Sequence, residues 1–271
     1  MSATDSLAQA ATALLGATAR RITPLHGGDL SDVLLLQLSD GQAVVAKSGT
    51  APEAEARMLR ALAEAGAPVP QVLAVSGAVL VLSHVENDGG PDEEGWADLG
   101  TALRRLHATQ APQNGWPEPF AFANLPIANS PAATWPAFWA ERRLLPEVPH
   151  LPPALARRIE ALAATLPEHL PRNSTALLHG DLWSGNLLAR RGRLAALIDP
   201  ACYHGDGEVD LAMLHLFGSP GPAFAESYGP LPPGAETRRA IYQLWPAIVH
   251  ARLFGAGYHG MIDALLSRTG H

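Results

Sequence analysis

A single cysteine, Cys202, stands in 271 residues. No internal disulfide can form, and the chain suits a reducing compartment, so a cytoplasmic location is expected. With no second thiol or ligand cluster around it, Cys202 reads as a small packing residue. Aromatic residues make up only 6% and charged residues 17%, yet apolar residues reach 47%. That balance describes a folded globular protein and excludes a disordered one. Positive charge is short: 19 Lys and Arg face 26 Asp and Glu, for a net charge of −7. A nucleic-acid backbone is therefore not expected as a general partner, although local cations and a metal could still neutralise a nucleotide. Long hydrophobic runs are lacking too. The stretch Val72 to Leu82 is interrupted by Ser76 and Gly77 and is too short to span a membrane, so it reads as a hairpin. The beginning, Met1 to Ala13, has no basic region and carries Asp5, which makes a poor signal peptide. The 24 prolines and 25 glycines follow no period, which excludes a repeat array.

The stretch Leu178-His179-Gly180-Asp181-Leu182-Trp183-Ser184-Gly185-Asn186 organises what is present. An aspartate follows the histidine by two residues, an asparagine lies five further on, and Asp199 closes the apolar run Leu194 to Ile198. This is the H-x-D-x-x-x-x-N pattern of a kinase catalytic loop, followed by a metal-binding aspartate at a strand end. Phosphoryl transfer needs one carboxylate to receive the proton of the attacking hydroxyl. It also needs oxygen ligands that hold magnesium against the phosphates. Asp181 is the candidate base, and Asn186 and Asp199 are the candidate metal ligands. A polar turn between buried strands is the plainer alternative for any one of these residues, but not for the ordered set.

Upstream, Arg21–Leu25, Asp32–Leu38 and Gln42–Lys47 read as strands, after a helix over 5–18. His26-Gly27-Gly28-Asp29-Leu30-Ser31 joins the first two strands. Gly27 and Gly28 would let backbone N–H groups approach phosphates, although the full G-x-G-x-x-G spacing is absent and a plain hairpin loop remains open. Lys47 ends an apolar strand, where an unpartnered charge is costly. Its expected partner is Glu55 on a helix over 53–65. Glu53 faces another direction and is the competitor. Strands around 71–75 and 78–82 lead into Val81-Leu82-Ser83-His84-Val85-Glu86, expected as the hinge where Ser83 and Val85 meet the adenine edge.

From Asn87 onward the pattern is mainly helical. A helix carries Trp96, Leu99, Leu103 and Leu106, with His107 near its end as a satisfied core histidine. Further helices are expected over 134–145, 153–166, 206–217 and 236–266, with residues 113–130 as loop. A second His-Gly-Asp, at 204–206, invites a metal-site reading with His179 and Asp181, but the spacing does not match compact metal ligands. Asp210 is a candidate brace beneath the catalytic loop. The fold class expected is α+β and two-lobed, protein-kinase-like. Residues 1–86 would form an antiparallel-sheet lobe with one key helix, and 87–271 a larger helical lobe.

Taken together, these residues resemble the fructosamine kinase (ketosamine-3-kinase) family, within the aminoglycoside phosphotransferase-like small-molecule kinases. The likeness rests on 177–186 with Trp183, on Ile198-Asp199-Pro200-Ala201, on 208–218, and on Tyr242-Gln243-Leu244, His250 and Phe254-Gly255. It implies transfer of the ATP γ-phosphoryl group, with Mg2+, to the 3-hydroxyl of a ketosamine, a reaction linked to protein deglycation. Lys47 and Glu55 would clamp phosphates, and Trp183 would lie against the sugar or else pack its own loop. The implied partners are ATP and a sugar-amine or glycated-protein acceptor, with no nucleic acid and no membrane, in a monomer or homodimer. Asp29, Ser83 and the segment Phe122–Pro126 depart from the family pattern. The rival readings are a kinase of the same fold for an aminoglycoside, choline-like or other alcohol, a nucleotide-binding regulator without catalysis, and a metal-dependent hydrolase.

Overall fold

Along 33–38 and 43–46 burial alternates residue by residue, and that period of two sorts side chains onto opposite faces. The computed structural model describes residues 2–25, 32–122 and 124–271. In it, five strands form an antiparallel sheet in the order β1-β2-β3-β5-β4. They are β1 (Ala19–Pro24), β2 (Val33–Leu38), β3 (Ala43–Ser48), β4 (Val72–Ser76) and β5 (Val79–Ser83). Leu34, Leu36, Val44 and Ala46 pack from one face onto Leu7, Ala8 and Ala11 of α1 (Ala3–Leu15). A capping box starts α1: Ser2 Oγ accepts the Asp5 N–H, and the Asp5 carboxylate accepts the Ser2 N–H, each at 3.1 Å. From the opposite face, Val45, Leu80 and Leu82 pack onto Ala56 and Leu59 of α2 (Pro52–Glu64). Lys47 shares the parity of Val45, so β3 delivers it to the side that α2 covers. The expected Gly27, Gly28 and Asp29 turn lies outside the described residues.

The rest is mainly helical: α3 (Glu93–Ala108), α4 (Trp135–Trp139), α5 (Pro153–His169), α6 (Glu208–Leu214), α7 (Pro222–Tyr228), α8 (Ala235–Phe254) and α9 (His259–Arg268). Short strands sit among them: β6 (Phe120–Phe122) with β7 (Leu125–Ile127), β8 (Ala176–Leu178) with β11 (Tyr203–Gly205), and β9 (Leu187–Arg190) with β10 (Arg193–Leu197). Trp135, Phe138, Trp139, Tyr203 and Tyr242 stack at the centre of the largest hydrophobic cluster. No helix among the described residues is long and apolar enough to cross a membrane.

Several expected boundaries differ. Residues 113–130 are not all loop, because β6 and β7 pair inside them. Three-residue strands are too short to display an alternation. The helix expected over 134–145 is regular only to Trp139, widens over Ala140–Leu144, then tightens over Leu145–His150. Pro146 and Pro149 have no N–H to continue the ladder. The helix expected over 206–217 shortens to α6, and α7 was not foreseen. The span 236–266 is two helices, divided at Gly255, where φ is +94°. Met58, Leu62 and Ala67 pack into the large helical cluster. The connecting segment is itself tied down, with Asp88 N donating to Ala189 O at 3.0 Å.

Candidate active site

Strand β8 is buried along its length and hands the chain to His179. Asp210, fully buried on α6, receives the next two backbone amides, His179 N at 2.7 Å and Gly180 N at 2.9 Å. It also bonds His107 Nε2 at 3.1 Å. The catalytic loop is thus fixed from below, as a brace at Asp210 requires, and His107 is a satisfied core histidine. His179 Nε2 lies 3.0 Å from Ile198 O, a carbonyl that can only accept, so that nitrogen carries the proton. Burial pushes its pKa down, which keeps the ring neutral. At Gly180 φ is +83°, and a Cβ would stand 2.0 Å from Ala201 O. Only glycine fits this turn.

The β9–β10 hairpin brings the other two oxygen donors together. Leu187 pairs with Leu197, and Ile198 N donates to Asn186 O at 3.1 Å, so Asp199 emerges next to Asn186. Asn186 is buried, and its Nδ2 donates to Asp181 O at 2.8 Å and to Asp181 Oδ2 at 3.2 Å. Its Oδ1 is left as an acceptor. Asp199 holds φ at +55°, a costly conformation for a non-glycine residue and one that concentrates at functional sites. Burial is the largest influence on Asp181 and pushes its carboxyl up to about 7, with the Asn186 bond opposing.

Lys47 joins the two halves. Its Nζ lies 2.8 Å from Glu55 Oε1 and 2.8 Å from Asp199 Oδ1. Burial by itself would lower its pKa, but the two carboxylates outweigh that and hold the ammonium above its ordinary range. Lys47 is the single lysine of the chain, since the other 18 basic residues are arginines. Glu55, not Glu53, is the helix partner, and Glu55 is buried where Glu53 is exposed.

Beyond this cluster, Ser83 N–H and Oγ are both engaged with the Gln71 backbone, each at 2.9 Å. Val85 O accepts from Asn87 Nδ2 at 3.1 Å. Trp183 lies over Gly185, where a Cβ would meet its ring at 2.3 Å, yet the side chain remains 39% exposed. One face therefore packs the loop and the other is open. A narrow hollow of about 30 Å³ beside Asp181 and Gly180 is lined by Phe122, Val209 and Met213, and by Tyr242, Trp245, Pro246, Val249 and His250 of α8. Sequence reasoning did not identify this wall. Its signal was the helical spacing 242, 245, 246, 249, 250. A roomier hollow of about 610 Å³ beneath residues 111–119 touches none of Lys47, Glu55, Asp181, Asn186 or Asp199.

Among the described residues no group of three or more His, Cys, Asp or Glu could hold a metal by itself. The second His-Gly-Asp has other uses: His204 stacks on Trp116, and Asp206 accepts the Tyr242 hydroxyl at 2.7 Å. A hydrolase centre built on both runs is not assembled among these residues. One carboxylate and one amide oxygen, Asp199 and Asn186, do suit magnesium, which takes few protein oxygens and completes its shell with phosphates and water.

The family described as fructosamine kinase matches residues 3–269. A Thermus thermophilus protein named a probable ketoamine kinase is 38% identical over 258 residues, covering 91% of this chain and 93% of its own length. The crystal structure of a Thermobifida fusca protein that carries the name fructosamine-3-kinase superposes with a TM-score of 0.89 at 31% identity, over 98% of both chains. A macrolide 2′-phosphotransferase from Brachybacterium faecium shares the fold at a TM-score of 0.65 and 18% identity, over 97% of both chains.

Proposed function

Since the chain belongs to the fructosamine kinase family, we propose that it transfers the γ-phosphoryl group of ATP to the 3-hydroxyl of a ketosamine. The observation that carries this reading is Lys47 Nζ at 2.8 Å from both Glu55 and Asp199. Asp199, 152 residues along the chain from Lys47, joins the neighbouring Glu55 there on one cation, and the hairpin sets Asp199 next to Asn186. A lone lysine tucked between two carboxylates is a poor stability device, because its desolvation offsets most of the attraction. It is a good phosphate clamp.

On nucleotide binding, Lys47 exchanges Asp199 for phosphate oxygens and keeps Glu55. Ser83 is bonded to Gln71, so it anchors the end of β5, while the Val85 N–H reads the adenine edge. Asn186 Oδ1 and the freed Asp199 carboxylate would hold magnesium, which supplies charge neutralisation at the β- and γ-phosphates. The acceptor's 3-hydroxyl oxygen bonds to Pγ as the bond from Pγ to the bridging oxygen breaks. ADP leaves with that electron pair, and the hydroxyl proton passes to Asp181. A carboxyl pushed up to about 7 is a strong enough base to take that proton near neutral pH. The open face of Trp183 lies against the sugar.

The aminoglycoside alternative is disfavoured by the acceptor hollow. Among the described residues that line it, Asp181 is the only carboxylate, whereas a polycation calls for several. The deciding experiment is acceptor-dependent ADP release with fructosamines, ribulosamines, aminoglycosides and choline, followed by assignment of the phosphorylated position. Release with ketosamines and phosphate at the 3-position is expected. Release only with an aminoglycoside or choline would overturn the reading, and so would none at all.

A further inference from the structure

We infer that His250, with the rings of Phe217, Phe254 and Tyr258 around it, forms a subsite for the protonated amine arm of the acceptor. The inference rests on the ketosamine reading above. His250 lines the same hollow as Asp181 and Gly180. Its Nδ1 lies 2.7 Å from Pro246 O. A carbonyl can only accept, so Nδ1 carries the ring proton and Nε2 presents a lone pair. Nε2 has no hydrogen-bond partner among the described residues. Burial lowers the His250 pKa, which agrees with a neutral ring.

The ring of His250 is surrounded by aromatic centroids at 4.7 Å for Phe217, 5.2 Å for Tyr258 and 5.4 Å for Phe254. Phe254 is 50% exposed, a large apolar ring left at the surface beside His250. A ketosamine carries a secondary amine one carbon from its sugar, and that amine is protonated at neutral pH. Its N–H suits a bare imidazole nitrogen. Its charge suits aromatic faces, which attract cations without a second carboxylate. The substituent on nitrogen then runs outward over Phe254. The acceptors favoured are therefore sugars whose amine bears an apolar or aromatic substituent.

The test uses two fructosamines, of benzylamine and of methylamine, against the full-length enzyme and its His250→Phe and Phe254→Ala variants. His250→Phe keeps a ring and removes the acceptor nitrogen. It is expected to raise KM for both fructosamines about tenfold or more, the worth of a hydrogen bond to a charged group, with KM for ATP and kcat little changed. Phe254→Ala is expected to raise KM severalfold for the benzylamine derivative and much less for the methylamine one. Melting temperatures identify any variant that fails to fold. Should His250→Phe not fold, the exposed Phe254→Ala decides alone. Turnover with acceptor KM unshifted, or with acceptor and ATP KM shifted alike, overturns the subsite alone. No turnover of either fructosamine by the unaltered enzyme overturns the ketosamine reading and the subsite with it.

Discussion

At the scale of single residues, Asp181 and Lys47 carry the testable chemistry. Asp181→Asn preserves the shape of the side chain and removes the carboxylate proposed as the base. Turnover is expected to fall by roughly 10²–10⁴-fold while nucleotide binding, followed by calorimetry, persists. Unchanged turnover would remove Asp181 from the mechanism. Lys47 offers a direct view of the nucleotide because no other lysine competes. An amine-reactive acyl phosphate of ATP should label one internal position, Lys47, read as a single modified peptide by mass spectrometry. Excess ATP should protect it. Labelling confined to the chain's α-amino group would place the nucleotide elsewhere. Residue identity alone explains much here: a charge at the end of an apolar strand predicts a partner, and Glu55 at 2.8 Å is one.

At the scale of elements, the loop that starts at His179 depends on α6 and α3 through Asp210. Burial by itself would raise the Asp210 pKa. The bond from His107, with the backbone N–H groups of His179 and Gly180, outweighs it and holds the carboxyl below its ordinary value. A depressed carboxylate stabilises the fold at pH above its unfolded value, and that stabilisation is lost as pH falls through the lower folded value. Asp210→Asn is therefore expected to lower Tm at pH 7 by about 5 °C. The deficit should narrow below about pH 4, the ordinary aspartate range. A deficit independent of pH would mean that shape, not charge, does the bracing. Helix α2 is tied to the helical part as well. Cys202 N approaches Met58 Sδ at 3.3 Å, and Arg57 pairs with Glu118. The helix that carries Glu55 is thus fixed by contacts on both its sheet side and its helical side.

At the scale of the whole molecule, Lys47 pairs Glu55 of the sheet region with Asp199 of the helical region, so whatever binds between them should stabilise both. ATP with magnesium at about 100 times its Kd is expected to add about 2.7 kcal/mol. Tm should then rise by about 5–10 °C in a single transition. Chelation of the magnesium should remove most of that gain. A shift that survives chelation would argue against metal ligation by Asn186 and Asp199.

The sequence by itself determined the local pieces: the strand order around Lys47, the loop from His179 to Asn186, and the hairpin that returns Asp199. These rest on periodicity, turn chemistry and short fixed spacings, all of which act over a few residues. Tertiary structure alone decided which side chains share a space. The wall of Tyr242, Trp245, Val249 and His250 faces Asp181 only because α8 packs on α6 with that stripe inward. The hairpin within residues 113–130 brings Phe122 to the same hollow although its strands are too short to announce themselves. Side-chain packing between elements far apart in the chain leaves no mark on the local pattern of either. That is why the meeting of Lys47, Glu55, Asn186, Asp181 and Asp199 could be read from the sequence and the wall beside Asp181 could not.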